Sequence, residues 1–212
     1  ANLVSFSCPS LSCGEDAERI IKRLPNLCKL SCIFYESQDS STSCNRFPRL
    51  KFLSHLECLK VFYYGNPLHN AEFDLPLSLK ELTLSRFRLS WTRISAIGSL
   101  PNLEVLKLLS GAFAGRTWDM MEDEFQTLKF LSLDTLDIAE WNASYDHLPK
   151  LERLVLRNCK DLEKIPEDLS DITSLETIEV HWCGQSVEES AIEIGKATAE
   201  IKVLITSSNL RS

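Results

Sequence analysis

Three stretches toward the end of the chain carry the decisive pattern: Leu128-Lys-Phe-Leu-Ser-Leu-Asp-Thr-Leu136, Leu151-Glu-Arg-Leu-Val-Leu-Arg-Asn-Cys159 and Leu175-Glu-Thr-Ile-Glu-Val-His-Trp-Cys183. Each reads Leu-x-x-Leu-x-Leu-x-x and then an apolar residue, often Cys. The same frame recurs at Leu103, Leu79, Leu56, Leu27 and Leu3, so eight copies begin near residues 3, 27, 56, 79, 103, 128, 151 and 175. Their spacings are 24, 29, 23, 24, 25, 23 and 24 residues. The central apolar-x-apolar core has period two, which predicts a short strand in every copy.

A repeat of about 20–29 residues with this frame is that of a leucine-rich repeat. One copy cannot bury its apolar face alone, but parallel stacking of equivalent strands makes a continuous core. The expected fold is therefore an α/β solenoid, a leucine-rich-repeat horseshoe over residues 1–212. It has one short parallel strand per copy, an irregular or helical convex side and a concave surface suited to binding. In this frame the ninth residue of a copy points inward, which places Tyr35, Tyr64, Phe87, Leu136, Cys159 and Cys183 in the core.

The return segments vary. Pro25, Pro101 and Pro149 stand two residues before a strand-leading Leu, where proline suits entry into extended chain. Residues 36–45, polar and without periodicity, read as a loop that accounts for the one long interval. Helical spacing predicts a helix over 15–24, through Ala17, Ile20, Ile21 and Leu24, and another over 91–100. At the end, Ser186-Val-Glu-Glu189 reads as a capping box. Val187, Ala191, Ile194, Thr198 and Ile201 follow at helical spacing, and Gly195 weakens that helix. Residues 185–212 are thus expected to cap the array. Ala1 enters directly into a repeat strand, which suggests the C-terminal piece of a longer protein whose N-terminal part is absent.

A hydrophobic content of 44% supports a packed interior. The net charge of −7 argues against nucleic acid as a partner, because phosphate binding needs clustered cations. No apolar run reaches the ~18 residues of a membrane span, and no signal peptide is present. Of eight cysteines, Cys8, Cys32, Cys159 and Cys183 fall on inward positions, and there is no CxxC pair or zinc spacing. Buried thiols are expected rather than disulfides or metal ligands, which points to a reducing compartment. The Asn142-Ala143-Ser144 sequon matters only in a secreted protein.

Chemistry is sparse. His55, His69, His147 and His181 are scattered and read as surface or turn residues. Asp119, Glu122, Asp123 and Glu124 lack the frame of a calcium loop and read as a solvated convex turn. No phosphate cradle or nucleophile motif occurs, so neither an enzyme nor a cofactor site is expected. The informative side chains are those off the strands on the concave side. Ile33, Phe34, Phe62 and Tyr63 are expected to cluster on adjacent copies, with Lys60 beside them. Lys107, Arg153 and Arg157 are expected to form a basic stripe further along. Exposed aromatics with arginine suit an interaction surface. The plainer alternative is that these rings pack against loops and the cations are ordinarily solvated.

The run from Leu133 through Trp141-Asn-Ala-Ser-Tyr-Asp-His-Leu-Pro-Lys-Leu151 to Cys159, with Lys160-Asp-Leu-Glu-Lys-Ile-Pro166 and Ile172-Thr-Ser-Leu-Glu-Thr-Ile-Glu-Val180, closely resembles the last repeats of plant intracellular nucleotide-binding leucine-rich-repeat immune receptors. The coiled-coil class of nightshades, which includes late-blight resistance proteins and helper receptors, is the most similar. The resemblance implies a cytoplasmic domain that restrains a nucleotide-binding switch, senses a pathogen effector or host guard protein, or does both. It supplies no shared ligand residues. The competing reading is the substrate-recognition domain of an F-box ubiquitin-ligase adaptor, which uses the same repeat.

Overall fold

The computed structural model describes residues 4–13, 15–36, 47–68, 73–198 and 200–207, without the side chains of Cys8, Pro9, Glu15 and Asp16. The start of the first copy at Leu3, the strand entry at Ala1, nearly all of the polar 36–45 stretch with Cys44, and His69 lie outside the described residues. So does the tail from 208.

In chain order the elements are β1 (Ser5–Ser12), α1 (Glu15–Ile21), β2 (Lys29–Tyr35), β3 (Cys58–Tyr64), β4 (Glu81–Ser85) and β5 (Leu89–Ser90). Next come α2 (Ser95–Gly98), β6 (Val105–Leu109), β7 (Phe113–Ala114), β8 (Thr117–Asp119), β9 (Phe130–Asp134) and β10 (Glu140–Asn142). The last are β11 (Arg153–Arg157), β12 (Thr177–His181), α3 (Gln185–Ala197) and β13 (Lys202–Thr206). Nine strands make one parallel sheet in the order β1-β2-β3-β4-β6-β9-β11-β12-β13. Two-stranded pairs, β5 with β7 and β8 with β10, lie in the return segments. The architecture is a mostly parallel sheet with few helices, compatible with a repeating α/β fold.

Each copy supplies a strand of that sheet, and equivalent leucines meet. Leu154 sits between Leu131 and Ile178, and Leu156 between Leu133 and Val180. All six are wholly buried. Burying a side chain of this size is worth about 1.5–3 kcal/mol, and a one-residue slip would turn the row to solvent. That penalty is why the register holds without a shift from β2 to β13.

The strand ends differ between copies, and the difference corrects part of the sequence reading. In five copies the residue after the strand is left-handed: Arg86 (φ 69°), Ser110 (φ 48°), Thr135 (φ 54°), Asn158 (φ 49°) and Trp182 (φ 56°). A left-handed residue breaks the period-two alternation, so the following Phe87, Leu136, Cys159 and Cys183 turn inward as the frame predicts. β2 and β3 lack that turn and alternate through seven residues. Phe34 and Tyr63 therefore point into the core and are wholly buried, while Tyr35 and Tyr64, expected inside, are exposed. Phe34 packs edge-on to Phe47 at 5.5 Å, and Tyr63 stacks on Phe87 at 5.3 Å.

The predicted helices exist in shortened form. Over 91–100 a 3-10 turn, Trp91–Arg93, precedes α2. Trp91, Trp118 and Trp141 stack in sequence on the return side, with ring centroids 4.7 and 5.5 Å apart. The C-terminal reading needs two corrections. Helix α3 starts at Gln185 with Gly184 as its cap and no side-chain capping hydrogen bond, so Ser186 lies inside its first turn rather than at the cap. Its buried side is Val187, Ser190, Ala191 and Ile194. Ile201 is not helical. The chain leaves the helix at Thr198, and β13 adds itself to β12. Gly195 explains that closure: a Cβ there would lie 2.6 Å from Val203 Cγ2 of β13.

Candidate interaction face

The face of the sheet opposite the leucine core carries the side chains that remain. Register sets them in rows across the strands. Ile33 lies beside Phe62, and Tyr35 beside Tyr64. Ile33 and Phe62 are half-buried, Lys60 is exposed, and the Tyr35 and Tyr64 rings stack at 5.6 Å. The Arg86 guanidinium lies over the Tyr64 ring at 4.7 Å. Of the four expected aromatic-cluster residues, the structure thus brings Ile33 and Phe62 together on the open face. Phe34 and Tyr63 belong to the core, and Tyr35, Tyr64 and Arg86 take their place.

Lys107, Arg153 and Arg157 do converge. They line one depression of about 380 Å³ together with Leu109, Phe130, Ser132, Asp134 and Val155. Phe130 stands between two of the cations, with Lys107 Nζ at 5.3 Å and Arg153 Cζ at 5.7 Å from its ring centre. The stripe is not uniformly basic, which the sequence reading missed. Arg153 forms an ion pair with Glu179, its Nε donating to Oε1 at 2.8 Å. His181 Nε2 lies 3.1 Å from the other Glu179 oxygen, and His181 Nδ1 lies 3.0 Å from the Thr206 hydroxyl. Burial pushes the Glu179 carboxyl up, but hydrogen bonds and charge from His181 and Arg153 outweigh it and hold it below the usual range. Arg157 is exposed beside Asp134 in register and forms no ion pair among the described residues. Among the described residues, Lys107 and Arg157 are thus the cations of the stripe that make no ion pair.

Two other expectations change, those for Glu124 and His181, while His147 is a turn residue as expected. Glu124 is buried, its Oε2 accepting the Met121 N–H at 3.0 Å, so the acidic run is not wholly solvated. His181 is part of a charge network rather than a bland turn residue. His147 Nδ1 accepts the Ser144 N–H at 3.0 Å and caps a short turn.

Of the described cysteines, Cys13, Cys28, Cys58, Cys159 and Cys183 carry free thiols. Burial pushes Cys13 up to about 12. Among the described residues no group of three or more His, Cys, Asp or Glu is arranged to hold a metal ion, and no helix is long and apolar enough to cross a membrane.

No family model matches the chain. Similar proteins come from Solanum demissum. The putative late blight resistance protein homolog R1A-4 is 36% identical over 206 residues, which is 94% of this chain and 16% of that protein. Late blight resistance protein R1-A is 35% identical over 206 residues, 94% of this chain and 15% of its own length. The putative homolog R1A-3 is 36% identical over 201 residues, 94% of this chain and 25% of its own. The chain spans about a sixth of the length of R1A-4 and R1-A. Over nearly all of its own length, the chain is a homologue of one segment of the nightshade late blight resistance proteins.

Proposed function

We propose that this chain is a non-catalytic, protein-binding leucine-rich-repeat segment of a cytoplasmic plant disease-resistance receptor. Its open face is the concave side of the horseshoe, and it restrains the receptor's nucleotide-binding switch. The observation that carries this reading is 36% identity across 94% of the chain to proteins named for late blight resistance. The alternative of an F-box adaptor draws no support from those relatives. The depression around Phe130 supports a docking role, because Lys107 and Arg157 make no ion pair among the described residues and line a partly apolar floor. Complementary charge of that kind orients a partner and rejects wrong ones.

The test is a leaf cell-death assay without pathogen, using the full-length receptor with Lys107→Glu and Arg157→Glu. Arg153 is left in place because it holds Glu179. Spontaneous death at normal protein level is expected. A quiet, normally accumulating variant refutes the brake.

A further inference from the structure

We propose that the surface where Tyr35, Tyr64, Arg86 and Arg88 meet is a docking site for an acidic peptide segment of a partner protein, separate from the depression around Phe130. The site arises from the change of strand parity. Because β2 and β3 run on without a left-handed turn, their last residues, Tyr35 and Tyr64, face solvent at 44% and 42% exposure. Their rings stack within 21° of parallel, and Arg86 covers the free side of Tyr64. The next copy turns immediately, through two left-handed arginines, Arg86 (φ 69°) and Arg88 (φ 53°). A left-handed arginine is unfavourable unless its surroundings hold it. Here the Arg88 N–H donates to Gly111 O at 2.9 Å, and the Leu89 N–H to Ala112 O at 3.1 Å. The result is an open depression of about 660 Å³, with Tyr64, Gly65, Arg86 and Arg88 on one side and Ser110 and Thr135 on the other.

Charge selects the occupant. The chain carries −7 overall, and some of its cations are matched to its own carboxylates: Lys80 to Glu57, Lys129 to Glu104, Arg116 to Asp161 and Lys164 to Glu167. Arg86 and Arg88 form no ion pair among the described residues. The Glu36 carboxylate, beside Tyr35, is turned instead to Asn66, whose backbone N–H donates to it at 2.9 Å. Two exposed guanidinium groups therefore present donors suited to carboxylates. A free anion would occupy these donors and leave the tyrosine rings wet. A peptide that carries both carboxylates and an aromatic side chain covers both, and arginine with tyrosine is the composition of interface hot spots.

The experiment uses the 212-residue chain and fluorescence anisotropy of a labelled twelve-residue peptide of alternating Glu and Tyr, with an all-Glu peptide and inorganic pyrophosphate as comparison probes. The Glu–Tyr peptide is expected to bind and to weaken as salt rises, since the contact includes exposed charge. Arg86→Gln with Arg88→Gln, and separately Tyr35→Ala with Tyr64→Ala, should each weaken binding by about tenfold or more. Arg86→Lys with Arg88→Lys, which keeps the charge and tests whether the turn still folds, should retain more binding than the Gln pair. Lys107→Gln with Arg157→Gln should leave binding unchanged, so this site and the proposed switch contact fail independently. The proposal is overturned if the Glu–Tyr peptide does not bind, if the Arg86 and Arg88 changes have no effect, or if the Lys107 and Arg157 changes abolish binding equally. Equal binding of pyrophosphate or the all-Glu peptide, with the tyrosines idle, also overturns it.

Discussion

The parity of β2 is the point at which sequence and structure disagree most sharply, and a pair of substitutions decides it. Phe34 is wholly buried and packs edge-on against Phe47 at 5.5 Å. Phe34→Ala removes the ring and leaves a cavity, at a cost of about 3–5 kcal/mol. Tyr35 is 44% exposed, with its ring on Tyr64. Tyr35→Ala loses one cross-strand aromatic contact, at a cost of about 0.5–1 kcal/mol. In a chain of this length each kcal/mol moves the melting temperature by about 2–4 °C. Phe34→Ala should thus lower Tm by roughly 6–20 °C, and Tyr35→Ala by about 4 °C or less. Urea and thermal melts followed by circular dichroism measure both. If the first copies unfold ahead of the rest, as stacked repeats can, the shift should be confined to the earliest transition. A Tyr35→Ala variant as damaged as Phe34→Ala would show that the ninth-residue frame extends to the second copy and that the parity argument is wrong.

The Tyr63 hydroxyl is buried with no partner among the described residues, so Tyr63→Phe should be neutral or raise stability by about 1 kcal/mol, read from the urea midpoint. Gly195→Ala, which raises helix propensity on an open helix, should here cost about 1–3 kcal/mol because the new Cβ meets Val203 Cγ2; pairing it with Val203→Ala should recover part of the loss. Glu179→Gln should cost about 1–2 kcal/mol at neutral pH by weakening charged hydrogen bonds. The sign with pH follows from the depressed Glu179 carboxyl: its contribution is full above the unfolded carboxylate range and is lost as pH falls through the lower folded value. Urea midpoints for wild type and Glu179→Gln should therefore converge in acid, and a gap that widens on acidification refutes this account.

The strand positions were legible because the leucines obey two rules at once, period two within a copy and about 24 residues between copies. The open face was only half legible. Ile33, Phe62, Lys60, Lys107, Arg153 and Arg157 could be placed because they lie inside the strand, where alternation is safe. Phe34 and Tyr63 could not, because they hold the eighth position of a copy, where five later copies carry a left-handed residue and one backbone dihedral decides which residue turns inward. A signal was available in the residues themselves: Phe34-Tyr35 and Tyr63-Tyr64 are pairs of aromatics, favourable in strand, whereas Thr135, Asn158 and Trp182 stand at the same position in later copies. Only Asn among these is a residue that favours the left-handed region, so residue type alone was a weak guide. β13 was missed for a different reason. Its run, Lys202-Val-Leu-Ile-Thr206, has no leading Leu-x-x-Leu, and Gly195 reads as a helix defect until the strand that packs against it is known.

The two edges of the open face are built differently, and that asymmetry bears on where a partner sits. At the entry to the strands, facing residues alternate in sign through the middle copies, over Glu57, Lys80, Glu104 and Lys129. Glu57 meets Lys80 at 2.8 Å, and Glu104 meets Lys129 at 3.5 Å. Pairs this exposed add little stability, but they neutralise the middle of this edge and leave little net field there to attract a charged partner. At the exit the row runs Tyr35, Tyr64, Arg86, Ser110, Thr135, Asn158 and Trp182, with no matching acid in the row. Its backbone is pinned between copies by hydrogen bonds such as Ser110 N–H to Asp134 O at 2.8 Å, Thr135 N–H to Arg157 O at 2.8 Å and Trp182 N–H to Thr206 O at 2.7 Å. A pinned backbone lowers the entropy cost of presenting side chains to a partner. Core packing does not constrain what those side chains are, so recognition can vary along the exit edge while the leucine core stays the same.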